Sequence, residues 1–191
     1  MALTLSEGRS FTPVPAGLHD AVCISVVDLG MQQSIYGCKE KVLLQWEFPA
    51  VLADDGKPMT ISRTFGATLH KQGALRPLLA AWRGRDFTPE ELKSFDISAL
   101  LGKPVKLLIQ HSTNAEGRTY ADVQAAVKPD PGQNCRTVHP VVRWDMDVPD
   151  PAVKALLPEW VQKLIDGAVP KNKPAAAADT TAPGFDDDLT F

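Results

Sequence analysis

The chain has 191 residues, of which 44% are hydrophobic, 20 are basic and 23 are acidic, giving a formal net charge of −3. This length favours one domain with extensions, and the hydrophobic fraction is sufficient for a packed core. No apolar run approaches the roughly 18 residues of a membrane span, and the amino-terminal residues lack the pattern of a secretory signal. We therefore expect a cytoplasmic protein with no membrane segment. The three cysteines, Cys23, Cys38 and Cys135, are far apart and odd in number, which predicts free thiols in a reducing compartment.

Three strands are predicted in the first part of the chain. Residues 1–16 are polar and are predicted to form an arm. Residues 19–28 are apolar on both faces, as in a strand buried on both sides, and residues 30–38 are predicted to be a loop. Residues 41–48 alternate between apolar and polar, which predicts a half-exposed strand. A turn at residues 54–58 then leads into a third strand at 59–65.

The period of the hydrophobic pattern then changes to that of a helix. Leu75, Leu78, Leu79 and Trp82 have the spacing of a buried helix face, and Gly84 ends the predicted helix. Thr88, followed by proline and two glutamates, predicts the start of a second short helix. A further helical turn is predicted at residues 96–101.

Two more strands and an extension complete the predicted elements. Residues 105–110 and 119–127 alternate, and in the second of these strands Ala121, Val123, Ala125 and Val127 are expected to point inward. A helix is predicted at residues 151–167, interrupted at Pro158. Its expected apolar face consists of Leu156, Leu157, Trp160, Val161, Leu164 and Ile165. Residues 170–184 have the composition of a linker.

This order of elements, three strands, a helical insert and two strands, predicts a mainly β protein with a five-stranded OB-like barrel. The predicted divisions are an amino-terminal arm (1–16), the OB-like domain (17–128), a carboxy-terminal extension with a helix (129–169), and a disordered linker with an acidic tip (170–191). OB barrels bind single strands on strands two and three and on the loops joining strands one to two and four to five.

Basic residues are concentrated in one part of the sequence. Between residues 57 and 85 there are six basic residues and no acidic one. Single-strand binding needs cations for the phosphates and exposed rings for the bases. The candidate cations are Lys41, Arg63, Lys71, Arg76, Arg83 and Arg85. The candidate rings are Tyr36, Phe65 and Tyr120, whereas Trp46 and Trp82 are predicted to lie in the core.

Two stretches resemble known families. Residues 186–191, Asp-Asp-Asp-Leu-Thr-Phe, resemble the acidic carboxy-terminal tip of bacterial single-stranded DNA-binding proteins, with Leu189 in place of isoleucine and Thr190 in place of proline. This resemblance implies that the tip recruits replication or repair proteins. The residues that would do so are Asp186, Asp187, Asp188, Leu189 and Phe191.

The second stretch runs from Leu75 through Trp82-Arg83-Gly84-Arg85-Asp86-Phe87-Thr88-Pro89-Glu90-Glu91, and continues with Leu100-Leu101-Gly102-Lys103-Pro104. It resembles a family of small bacteriophage proteins from replication and recombination modules, over residues 36–125. This resemblance implies a phage protein that acts on single-stranded DNA in the host cytoplasm.

Enzyme signatures are missing from the sequence: it has no phosphate-binding loop, no His-Glu-x-x-His and no Cys-x-x-Cys. We therefore expect a non-enzymatic protein without cofactor or metal, which coats single-stranded DNA during replication and recombination. One alternative is an adaptor or virion-assembly domain that binds no DNA. Another is a metal-dependent nuclease that uses Asp145 and Asp147. The sequence leaves the oligomeric state open, a homo-oligomer included.

Overall fold

The computed structural model describes residues 12–34, 37–133 and 136–170. Its strands are β1 (Gly17–Ser34), β2 (Gly37–Leu52), β3 (Pro58–Gly66), β4 (Pro104–Thr113), β5 (Thr119–Val127) and β6 (Val142–Trp144). Its α-helices are α1 (Leu75–Arg83), α2 (Pro89–Lys93), α3 (Pro151–Ala155) and α4 (Glu159–Asp166). A 3-10 turn occupies Ile97–Leu100 between α2 and β4. The prediction of a mainly β protein with a few helices is confirmed.

The strands form one six-stranded sheet in the order β3-β2-β1-β4-β5. The four ladders along this path are antiparallel, and β6 pairs with β1 in parallel. The two ends of the path, β3 and β5, are not joined by a backbone ladder. The closed barrel that the sequence predicted is therefore not formed by strand pairing, because β3 and β5 leave the sheet open between them.

The predicted loop at residues 30–38 is wrong, because β1 continues to Ser34 and β2 begins at Gly37. Gly30 lies inside β1 with a φ of 63°, at a shift in the register between β1 and β2. The Asp28 carboxylate accepts a hydrogen bond of 2.8 Å from the Gly30 amide. Glycine at this conformation marks a β-bulge within a long hairpin rather than the end of a strand.

The limits of β5 match the prediction, but its inward face changes along the strand. The ladder between β4 and β5 shifts register between Leu108 and Ile109, so Val123 and Ala126 are the buried residues of β5. Val127, which was predicted to point inward, is 43% exposed. A bulge moves every later side chain to the opposite face, which sequence alternation alone does not reveal.

The helical insert between β3 and β4 follows the prediction. Leu75, Leu78, Leu79 and Trp82 are the buried face of α1, and Gly84 ends the helix in the left-handed conformation with a φ of 70°. The Trp82 indole N–H donates a hydrogen bond of 2.7 Å to the Pro104 carbonyl, which ties α1 to the start of β4. At the start of α2, Thr88 and Glu91 form a reciprocal capping box.

Apolar residues are buried on both faces of the sheet, as predicted for β1. The inner core lies under α1 and includes Trp46 and Trp82, whose ring centroids are 6.4 Å apart. The outer core lies on the opposite face, between the sheet and the extension. It contains Val27, Leu29, Leu43, Val142, Trp144, Leu157, Val161 and Ile165. The prediction that Trp46 and Trp82 belong to the core is confirmed.

The carboxy-terminal extension covers the outer face of β1 and β2. It adds β6, which was not predicted, and the break of the helix at Pro158 is confirmed by the separate helices α3 and α4. Its predicted apolar face is only partly correct, because Leu156 and Trp160 are 58% and 48% exposed. Because the helix is divided at Pro158, Leu156 and Trp160 do not continue the buried face formed by Leu157, Val161 and Ile165.

Two further predictions concern the thiols and the membrane. Cys23 and Cys38 are free cysteines, as expected, whereas Cys135 lies outside the described residues. Burial raises the pKa of the Cys23 thiol to about 12. Among the described residues, none of the helices combines the length and the apolar character needed to cross a bilayer.

Candidate nucleic-acid interface

Three of the four arginines predicted to contact DNA are paired with carboxylates that lie just beyond the basic segment. Arg76 on α1 makes two hydrogen bonds to Asp86, of 3.1 and 2.9 Å, and its side chain is 11% exposed. The Arg76 guanidinium is the largest cause of the lowered pKa of Asp86. Lys71 is exposed near this pair and also lowers the pKa of Asp86 through its charge. Arg76 is therefore held by an internal partner.

Arg83 and Arg85 share a single partner, Glu91. Arg83 donates one hydrogen bond to the Glu91 carboxylate, and Arg85 donates two, of 3.0 and 2.7 Å. The Arg83 guanidinium also lies over the Phe87 and Phe95 rings, 4.5 and 5.4 Å from their centroids. With its side chain only 16% exposed, Arg83 is a structural residue of the insert. The Arg85 side chain is 56% exposed and therefore remains partly accessible to solvent.

Glu91 provides a test of this pairing, because its pKa is lowered from 4.5 to about 2. The largest cause is the hydrogen bond from Arg85, followed by those from the Thr88 amide and Arg83. The unfolded chain takes up this proton at a higher pH than the folded chain does. The stability that Glu91 contributes is therefore complete above about pH 4.5 and is lost as the pH falls toward 2. We expect Glu91→Gln to lower stability at pH 7 and to flatten its decline between pH 5 and 2, as measured by urea unfolding.

The matched control is Glu90→Gln, because Glu90 belongs to the same helical turn and makes no ion pair among the described residues. This control should keep the wild-type decline in acid. A wild-type decline in Glu91→Gln as well would show that the two arginines are not held by Glu91.

Arg63 lies at the open junction of the sheet. It extends from β3 and donates a hydrogen bond to the Val123 carbonyl of β5. The Arg63 nitrogen Nη1 also lies 4.0 Å from the Asp122 carboxylate. Its guanidinium also lies 5.3 Å from the centroid of the Phe65 ring. Arg63 thus links the two strand edges that no ladder joins, and its donors are partly occupied.

The three candidate rings have different positions. Phe65 is 3% exposed and belongs to the inner core, so no base can stack on it, and its assignment as a DNA contact is corrected. It faces inward because it alternates with the outward Thr64 on β3. Tyr120 on β5 is 46% exposed and remains a candidate. Tyr36 lies outside the described residues, as do the proposed partner-binding residues of the acidic tip.

A polar surface remains open on the outer face of β2 and β3. On β2, Lys39 and Lys41 are two residues apart on this face, and neither has an ion-pair partner in the part of the chain that the structure describes. On β3 the same face carries a row of three hydroxyl side chains. This surface, which we call the β2–β3 surface, consists of Lys39, Lys41, Gln45, Thr60, Ser62 and Thr64.

The extension forms one border of the β2–β3 surface. Glu47, at the far end of β2, has a fully buried carboxylate that accepts hydrogen bonds from the amides of Val138 and His139, of 2.9 and 2.7 Å. The His139 ring nitrogen Nδ1 lies 2.7 Å from the same carboxylate. The extension therefore covers Leu43 and Glu47, while the β3 half of the face remains open.

Five residues of the β2–β3 surface were not singled out from the sequence: Lys39, Gln45, Thr60, Ser62 and Thr64. Lys39 was missed because the second strand was predicted to begin only at residue 41, although Lys39 and Lys41 continue the alternation of β2. The hydroxyl residues of β3 carry no charge, and their alternation with Ile61, Arg63 and Phe65 was the available signal.

Asp145 and Asp147, the residues of the nuclease alternative, are joined by a local hydrogen bond. The Asp145 carboxylate accepts a hydrogen bond of 3.0 Å from the Asp147 amide and another of 3.3 Å from Arg143. Across residues 12–34, 37–133 and 136–170, no group of three or more His, Cys, Asp and Glu side chains is placed to hold a metal ion. These observations give the nuclease alternative no support.

No protein-family model matches the chain, and no curated protein matches it. A function for the chain is therefore inferred from its fold and its surface.

Proposed function

We propose that this protein binds single-stranded DNA on the β2–β3 surface, as a non-enzymatic protein of phage DNA replication or recombination. The observation that carries the proposal is the pair of lysines beside a row of hydroxyls on the outer face of β2 and β3. This face of an OB barrel is the one that binds oligonucleotides. Lysines supply charge for the phosphates, and hydroxyls and amides donate hydrogen bonds to them.

The strand order supports an OB-like interpretation of the sheet. The order β3-β2-β1-β4-β5, with helices between β3 and β4, brings β3 and β5 to the two edges that an OB barrel closes. Arg63 links those edges through Val123, so the sheet is curved enough for a side chain to cross the opening. Tyr120 lies on β5, next to this junction, where its exposed ring is available to stack on a base.

We expect the β2–β3 surface to bind single-stranded DNA more weakly than a fully basic groove would. Arg76, Arg83 and Arg85 are paired internally, so the lysines carry most of the charge that faces the strand. Each phosphate neutralised on a single strand contributes a slope of about −0.7 to the dependence of log affinity on log salt. Two lysine contacts therefore correspond to a slope of about −1.4. The acidic tip, residues 186–191, recruits replication proteins to the coated strand in this proposal.

The test is fluorescence anisotropy with labelled oligo-dT and a duplex of equal length, with and without magnesium. We expect oligo-dT to bind more tightly than the duplex, and its affinity to fall as salt rises. Absence of binding to both would favour the adaptor without DNA binding. Degradation only in magnesium would favour the nuclease. Either of those results would contradict the proposal.

A further inference from the structure

The thioether of Met146 packs against the β-bulge of β1. Met146 lies in the extension, just after β6, and packs against the outer core. A Cβ atom at Gly30 would lie 3.3 Å from Met146 Cε, 3.5 Å from Met146 Cγ and 3.4 Å from Ala168 Cβ. The absence of a side chain at Gly30 thus lets both neighbours approach its backbone closely. Because the Met146 sulfur is bonded to both of these carbons, the thioether lies against Gly30.

The same part of β1 holds the end of the extension through one backbone bridge. The Val169 amide donates a hydrogen bond of 2.8 Å to the Met31 carbonyl, and this pair is an isolated bridge rather than part of a ladder. Ala168, the residue before Val169, contacts the bulge beside Met146. An isolated bridge has no neighbouring ladder bonds to support it, so it depends on the side-chain packing around it. The Met146 contact and the Val169 bridge therefore hold the same segment.

We propose that Met146 is an oxidation site, at which conversion to methionine sulfoxide releases the end of the extension from β1. The Met146 side chain is half-buried, so part of it contacts solvent. The oxidant is a peroxide. In hydrogen peroxide the O–O bond breaks, one oxygen bonds to the sulfur, which loses two electrons, and the other oxygen leaves as water with both protons.

The sulfoxide does not fit the place that the thioether occupies. Its added oxygen needs space beside two carbons that already lie close to the Gly30 backbone. The oxygen is also polar, and it would lie against the apolar outer core. Gly30 is the ladder partner of Lys41, so the contact that is lost lies next to the β2–β3 surface. The oxidation site itself does not depend on DNA binding, and its test needs no DNA.

The test is treatment of the full-length protein with hydrogen peroxide and then with dithiothreitol, which reverses thiol oxidation and leaves methionine sulfoxide in place. Peptide mapping by mass spectrometry locates the sulfoxide. We expect oxidation at Met146 to accelerate hydrogen exchange of the Val169 amide about tenfold. Exchange at Leu107, in the ladder between β1 and β4, should stay unchanged. Methionine sulfoxide reductases should restore slow exchange at Val169.

The controls use the other methionines in the part of the chain that the structure describes, Met31 and Met59, which are also half-buried. Met146→Leu keeps the volume and removes the sulfur, so exchange at Val169 should remain slow after peroxide. M31L/M59L should respond as the wild type does, which provides a test even if Met146→Leu fails to fold. The proposal is overturned if Met146 stays reduced while Met31 and Met59 are oxidised. It is also overturned if its oxidation leaves exchange at Val169 unchanged, or if Met146→Leu responds like the wild type.

Discussion

Replacing Glu47 by alanine is expected to lower the free energy of unfolding by about 3 kcal/mol. The Glu47 carboxylate is fully buried and accepts hydrogen bonds from the Val138 and His139 amides. Its loss removes the charged acceptor of both amides, and a hydrogen bond to a charged group contributes about 1.5–3 kcal/mol. Urea unfolding measures the loss, and hydrogen exchange of the two amides shows whether it arises at the extension.

The control for Glu47→Ala is Gln45→Ala, on the same strand and the same face. Gln45 is half-buried and makes one long hydrogen bond, of 3.4 Å, to the Thr60 hydroxyl, so its loss should cost less than about 1 kcal/mol. Equal losses for the two variants, or unchanged exchange at Val138 and His139, would show that Glu47 does not hold the extension in place.

The second large effect is expected at the centre of the inner core. Trp46 is 0% exposed, and its replacement by alanine should cost about 4 kcal/mol, because it leaves a cavity between β2 and α1. Trp46→Phe should cost less than about 2 kcal/mol, because it keeps an aromatic ring and removes an indole N–H that has no partner. Urea unfolding of the two variants measures both values.

Trp160 provides the comparison for Trp46, since the same substitution there removes a ring that is 48% exposed. Trp160→Ala should change the free energy of unfolding by less than about 1 kcal/mol. A loss at Trp46 no larger than the loss at Trp160 would contradict the central position of Trp46 in the core.

Local patterns predicted the elements whose stabilising contacts lie nearby in the sequence. The spacing of Leu75, Leu78, Leu79 and Trp82 predicts α1 because one face of a helix repeats within four residues. The Thr88–Glu91 capping box also lies within one turn, and its sequence is sufficient to place the start of α2. The limits of β5 were also predicted correctly, because β5 pairs with β4, the strand that directly precedes it in the sequence.

Contacts between distant residues were not available from those patterns. The alternation of residues 41–48 places Glu47 on the polar face of a half-exposed strand, but the segment that buries it follows about 90 residues later. β6 has three residues, which is too short for a recognisable alternation. The bulge opposite Leu108 reversed the faces at the end of β5 without any glycine or proline to mark it.

The candidate site was predicted only in part, because the order of charges along the sequence does not show which of them form ion pairs in the fold. The basic segment at residues 57–85 contains no acid, yet Asp86 and Glu91 follow it directly and fold back onto Arg76, Arg83 and Arg85. Salt bridges between elements depend on how the chain turns after α1. Lys41 and Tyr120 stay in the proposed site because strand alternation placed them on an outer face.

The most direct measurement is the affinity of labelled oligo-dT for the double variant K39E/K41E, compared with the wild type and with K57E/K93E as a charge-matched control. Lys57 and Lys93 are exposed and lie outside the β2–β3 surface, in the β2–β3 turn and at the end of α2. We expect K39E/K41E to weaken binding at least tenfold and to reduce the slope of log affinity against log salt by about 1.4. The control should lose much less affinity and keep the slope. Equal losses in the two variants, or no binding of oligo-dT by the wild type, would contradict a single-strand site on the outer face of β2 and β3.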